Sequence, residues 1–141
     1  LGKTSIHNIS DENPYGLYLD DPYGQDDLIV QDADLHLQLD KPVKLLLRSI
    51  DVLHNFYVPE FRAKMDLVPG LVTYYWLTPT RTGEYEVLCA ELCGVAHYAM
   101  LGIISVDDEE NYSNWLTEQQ SFEQILAQNK IKNKTIQLAE K

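Results

Sequence analysis

Residues 89–100, CAELCGVAHYAM, bring Cys89, Cys93, His97 and Met100 together, and the chain has no other cysteine. Two thiolates, an imidazole and a thioether form a soft-to-borderline donor set that selects copper over hard cations. Zinc suits this set poorly, because the usual fourth Cys or His is lacking and methionine is a weak zinc ligand. A second imidazole must come from another part of the chain. His54, in SIDVLHNFYVP just past the strand expected through Leu47, in a neighbouring loop where the chain turns off the sheet, is the candidate.

Used with one cysteine, these residues make a mononuclear blue-copper site. Used with both, each thiolate bridges a pair of metals, and one histidine caps each copper. Met100 is then axial to one copper, and a backbone carbonyl is left for the other. Spreading one electron over two coppers lessens the change in bond lengths on transfer, which suits an electron relay. The Cys-x3-Cys spacing alone also allows a disulfide or a redox pair. That reading gives His97 and Met100 no role.

A site of this kind needs strands to hold both ends of the loop, and the hydrophobic period supplies them. Leu35, Leu37 and Leu39 alternate with His36 and Gln38, DKP turns the chain, and Val43, Leu45 and Leu47 continue the pattern. VTYYWLT (72–78) is rich in β-branched and aromatic residues, Tyr85, Val87 and Cys89 alternate, and LGIISV (101–106) is a last strand. The ligand loop thus lies between two strands. Short strands with turns at this spacing predict an antiparallel sandwich or barrel. Acidic DDEE opens a helix carrying Tyr112, Trp115 and Leu116, and FEQILAQNK extends a second one.

The expected organisation is a loop-rich acidic lead-in over 1–27, a domain over 28–118 and a helical or loose tail over 119–141. His36 is expected on the polar side of its strand, and Trp76 and Trp115 in packing.

The 141 residues include 11 Lys and Arg against 22 Asp and Glu, a net charge of −11. This excludes the basic face a nucleic-acid binder needs and favours a cationic partner. From Thr4 to Asp40 there is no Lys or Arg, so a solvated acidic face or a docking surface is expected there. No apolar run approaches the ~20 residues that span a bilayer. Because the chain starts at Leu1 rather than Met, an upstream segment is expected.

DVLHNFYVP (51–59), KMDLVPG (64–70) and CAELCGVAHYAM (89–100) together closely resemble the copper A domain of cytochrome c oxidase subunit II, over roughly residues 13–118. The resemblance implies a Greek-key cupredoxin barrel with a C-terminal helical extension. It makes Cys89 and Cys93 the bridging thiolates of a binuclear copper centre, His54 and His97 the terminal imidazoles, and Met100 an axial ligand. The carbonyl of Glu91 is the other axial ligand, and its carboxylate would reach a magnesium or manganese ion shared with subunit I. Cytochrome c is then the electron donor and haem in subunit I the acceptor, with subunit I reducing the oxygen. The location implied is the periplasmic, outer face of a bacterial inner membrane, with N-terminal membrane helices missing from this chain.

Departures accompany the resemblance. The tryptophan-rich segment that receives electrons is missing, Phe56 stands where many members have Trp, and Leu71 where many have Arg. Tyr57, Tyr74 and Tyr75 are substitutes for the electron-receiving aromatic, although core packing is the plainer expectation for each. NPYGLYLDDPYGQDD resembles an insert of a bacterial subgroup.

The related copper A domain of nitrous oxide reductase carries Trp between its cysteines, where this chain has AEL. A quinol-oxidase subunit II lacks the ligands present here. A thioredoxin-type copper chaperone would place its histidine far downstream.

Overall fold

The computed structural model describes residues 1–10, 13–30 and 34–129. Their strands are β1 (Leu28–Ile29), β2 (Asp34–Gln38), β3 (Val43–Leu47), β4 (His54–Val58), β5 (Ala63–Leu67), β6 (Thr73–Leu77), β7 (Gly83–Cys89), β8 (Leu101–Asp107) and β9 (Gln120–Ser121). Helix α1 spans Glu109–Glu118 between β8 and β9. Among the described residues no helix is long and apolar enough to cross a membrane.

The chain divides into two compact units, residues 32–116 and residues 1–31 with 117–141. In the first, five strands run in the order β2-β8-β7-β4-β5, and β3 and β6 form a separate antiparallel ladder. β2 lies parallel to β8 while the other pairs are antiparallel. Sequence neighbours β2 and β3 thus sit in different sheets. Leu37, Val58, Ala63, Ile104 and Val106 are buried between the sheets, with Val43, Tyr75 and Leu77 packed on them. Each fully buried Val, Leu or Ile side chain contributes ~1.5–3 kcal/mol. The result is an all-β, cupredoxin-like barrel followed by short helices.

The second unit has its own small core of Leu17, Ile29, Phe122 and Ile125. There β1 pairs with β9, and the amide of Phe122 donates to the carbonyl of Asp27.

The five strands expected from the sequence are present, and α1 begins where the acidic run predicts. Asp108 caps it by accepting from the Asn111 amide at 2.9 Å. Helix also covers 122–129, including the first two residues of the end expected to be loose over roughly 128–141, the rest of which lies outside the described residues.

Three expectations are corrected. His54 does not lie in a loop where the chain leaves the sheet. It opens β4, because NFYV is itself a strand that pairs with β5 on one side and β7 on the other. Trp76 and Tyr74 are not packing residues: they are 61% and 56% exposed, on the outward parity of β6 with Lys44 lying over both rings. Tyr75, of the opposite parity, packs on the core as expected. His36 lies on the polar side of β2 as expected, where it stacks on Trp115 at 4.6 Å and its Nδ1 lies 2.5 Å from Asp107 Oδ2. Finally, the acidic lead-in is not wholly a solvated face. Asp21 is buried, and its carboxylate accepts from the amides of Lys3 and Tyr23.

Candidate metal centre

The end of β7 and the start of β4 are adjacent because Phe56 pairs with Cys89 across the two strands. That register sets His54 Nδ1 3.8 Å from Cys89 Sγ. Residues 90–100 then leave the sheet and return to it at Leu101. The loop is closed at its base by the Cys89 amide, which donates to the Met100 carbonyl at 3.3 Å. A one-turn 3₁₀ helix over His97–Ala99 lifts the imidazole back toward the strand. Gly94, with φ of 130°, makes a bend that an L side chain rarely adopts.

This path gathers all the donors. Cys89 and Cys93 are thiols whose Sγ atoms stand 3.8 Å apart, well beyond the ~2.05 Å of a disulfide. His97 Nδ1 is 3.4 Å from Cys93 Sγ, and Met100 Sδ is 3.1 Å from the same sulfur. The carbonyl oxygen of Glu91 is 3.3 Å from Cys89 Sγ. Each thiol therefore has one imidazole beside it and one further donor, thioether or carbonyl. The ligating atoms of His54, Cys89 and Cys93 all lie within 4.8 Å of one another. A pair of soft cations would satisfy this set better than a hard one.

Asp51 was not singled out from the sequence. Its Oδ1 lies 2.7 Å from His54 Nε2, which fixes the ring and turns Nδ1 toward the sulfurs. The Asp-x-x-His spacing of DVLH was the signal that could have revealed it. Asp51 is in turn braced by Ser49, whose hydroxyl lies 3.1 Å from the same oxygen.

The bond to His54, followed by the amide of Val52, holds the Asp51 carboxyl down to about 2. The same bond, with Cys89 second, raises His54. Burial pushes the Cys89 thiol up, but backbone hydrogen bonding at Glu91 and Asn55, then His54 and Cys93, outweighs it and brings Cys89 to about 6. Cys93 is raised by burial first and then by Cys89. Of the two sulfurs, Cys89 is the one poised to be a thiolate.

An open recess of about 520 Å³ adjoins the centre, with Asp51, His54, Cys89, Met100 and Leu101 in its wall. On and beside the ligand loop, Leu92, Val95, Tyr98 and Leu101 are exposed, Val95 almost completely. The sequence reading did not anticipate this apolar collar. An exposed apolar rim of this kind is the surface character found at interaction sites.

A cupredoxin-like barrel thus carries two thiols, two imidazoles and a thioether gathered at one end. Residues 18–107 match the family model described as cytochrome c oxidase subunit II, periplasmic domain, and the chain belongs to that family. The alternative cytochrome c oxidase subunit 2 of Bradyrhizobium diazoefficiens is 57% identical over 131 residues, 93% of this chain and 47% of that protein. Cytochrome c oxidase subunit 2 of Thermostichus vulcanus is 40% identical over 90 residues, 64% of this chain and 27% of its own length. The chain thus spans about half or less of these relatives. Among solved structures, the periplasmic domain of subunit II of cytochrome oxidase from Bradyrhizobium japonicum is similar with a TM-score of 0.59 at 29% identity, over 62% of this chain and 63% of that one.

Proposed function

We propose that this chain is the electron-transfer domain of a haem-copper terminal oxidase, with the centre inside residues 28–118. It takes single electrons from a soluble cytochrome c at a binuclear copper centre and passes them to haem in subunit I. Bound there, the copper pair would supply a one-electron carrier whose charge is shared between two metals.

The observation that carries this reading is the symmetric pairing of two unlinked thiols, each with its own imidazole. A mononuclear site would leave one thiol without a purpose. Cys89, Cys93, His54, His97, Met100 and the Glu91 carbonyl would hold the copper pair. The exposed Glu91 carboxylate is left for a magnesium or manganese ion shared with subunit I.

The chain's own residues do the remaining work. Asp51 fixes the His54 ring, so the ligand geometry changes little when an electron arrives. The apolar collar excludes water where a partner sits, which favours short electron paths. A chain charge of −11 speeds encounter with a positively faced cytochrome. Membership of a periplasmic-domain family supports a place on the outer face of a bacterial inner membrane.

Copper titration of the reduced chain tests this proposal. Saturation at two coppers with a purple absorption is expected, and a stable blue species with one copper would overturn it. For the donor, cytochrome c oxidation by the assembled oxidase should slow steeply as salt rises. A rate indifferent to ionic strength would remove the electrostatic docking.

A further inference from the structure

Asn55 follows His54 directly in β4, yet it is 3% exposed and polar. Its Nδ2 donates to Asp66 Oδ1 at 2.5 Å, directly across the β4–β5 ladder. Its Oδ1 is the buried side-chain polar atom that lacks a partner among the described residues. A β-branched apolar residue would fill a strand interior without leaving an acceptor unpaired. The amide is therefore accounted for by the bond its nitrogen makes.

Asp66 is a junction. Its backbone carbonyl accepts from Thr73 Oγ1 at 2.6 Å, so Asn55, Asp66 and Thr73 tie β4 of the larger sheet to β5 and then to β6 of the other ladder. On its other side β4 pairs with β7, where Phe56 opposes Cys89. Any slip of β4 alters the spacing of His54 from Cys89. We infer that Asn55 is a positioning residue of the centre, which holds His54 against the sulfurs by anchoring its strand to Asp66. This inference rests on the copper reading given above and assigns no ligand role to Asn55.

The test uses the 141-residue chain and its Asn55→Leu, Asp66→Leu, Asp66→Asn and doubly leucine-substituted variants. Three quantities are read: copper(I) affinity by competition with a chromophoric chelator, the copper hyperfine pattern, and the melting temperature without metal. Outer-shell partners of metal ligands typically control affinity by about 10- to 100-fold. Asn55→Leu and Asp66→Leu should each lower copper affinity by at least about tenfold, with an altered hyperfine pattern and both coppers still bound at saturation. The double variant should be no worse than either single one, because both remove the same bond. Asp66→Asn keeps an acceptor and should restore wild-type affinity.

Wild-type affinity and hyperfine pattern in Asn55→Leu, whatever its melting temperature, would overturn the inference. Should Asn55→Leu not fold, equal affinities in Asp66→Leu and Asp66→Asn would overturn it instead. A wild-type chain that binds no copper would bring down the parent reading, and this one with it.

Discussion

The centre has two halves of different construction. His54 and Cys89 sit on paired strands, with the β4–β7 register and the Asp51 bond setting their positions. Cys93, His97 and Met100 sit on residues 90–100, whose backbone bonds are almost all local turns. Cys93 is placed chiefly by its neighbours Cys89, His97 and Met100. The strand-borne half is fixed by the barrel, while the loop-borne half is fixed by ligand-to-ligand contacts that a bound metal would reinforce. A relay centre gains from both: a rigid half limits reorganisation, and an exposed half reaches a partner.

Breaking the rigid half should do the most. Cys89→Ser should abolish the two-copper species entirely, as seen by metal analysis and optical spectra, while the barrel stays folded. By contrast, Ile104→Ala in the barrel core should cost ~2–5 kcal/mol in denaturant unfolding and leave the spectrum of the loaded, folded fraction unchanged. A changed spectrum would mean that the core and the centre are coupled more tightly than the two-half description allows.

The loop half should respond by degrees. Gly94→Ala meets no nearby atom, so its penalty is the backbone strain alone, ~1–3 kcal/mol. It should appear as weaker copper binding and not as a lower melting temperature of the metal-free barrel. The thiols sharpen the contrast further. Since Cys89 is lowered to about 6, its thiolate exists above that pH and is lost below it, whereas Cys93 stays protonated to a higher pH than a free thiol. Alkylation of the metal-free chain followed by mass spectrometry should therefore label Cys89 first, with a midpoint near pH 6. Equal labelling of the two cysteines would contradict the asymmetry. The smallest effect is expected for Met100→Leu, which should keep both coppers and change only the reduction potential.

Legibility of the fold followed the type of signal each segment carries. Alternation revealed β2, β3 and β7, the β-branched and aromatic run revealed β6, the apolar LGIISV run β8, and the acidic run α1. The β4–β5 hairpin was hidden because its turn carries neither Gly nor Asn. Pro59–Phe61 form a single 3₁₀ turn, and Arg62 takes the left-handed conformation at φ 53° that usually advertises a turn through glycine. Alternation also cannot tell which parity faces inward. Tyr75 and its neighbours Tyr74 and Trp76 read alike in the sequence but face opposite ways in the barrel. The polar side of β2 was legible for His36, but its partner Asp107, 71 residues away, was not. The ligand loop was legible because its donors are local in sequence. The Asp51 support for His54 was local and overlooked, whereas the link from Asn55 to Asp66 emerged only once the strands were paired.

The most direct test of the account is an electron paramagnetic resonance spectrum of the copper-loaded chain, recorded alongside metal analysis. The account predicts a many-line hyperfine pattern from one unpaired electron shared equally by two copper nuclei, at two metals per chain. A pattern from a single copper nucleus, at one metal per chain, would contradict it.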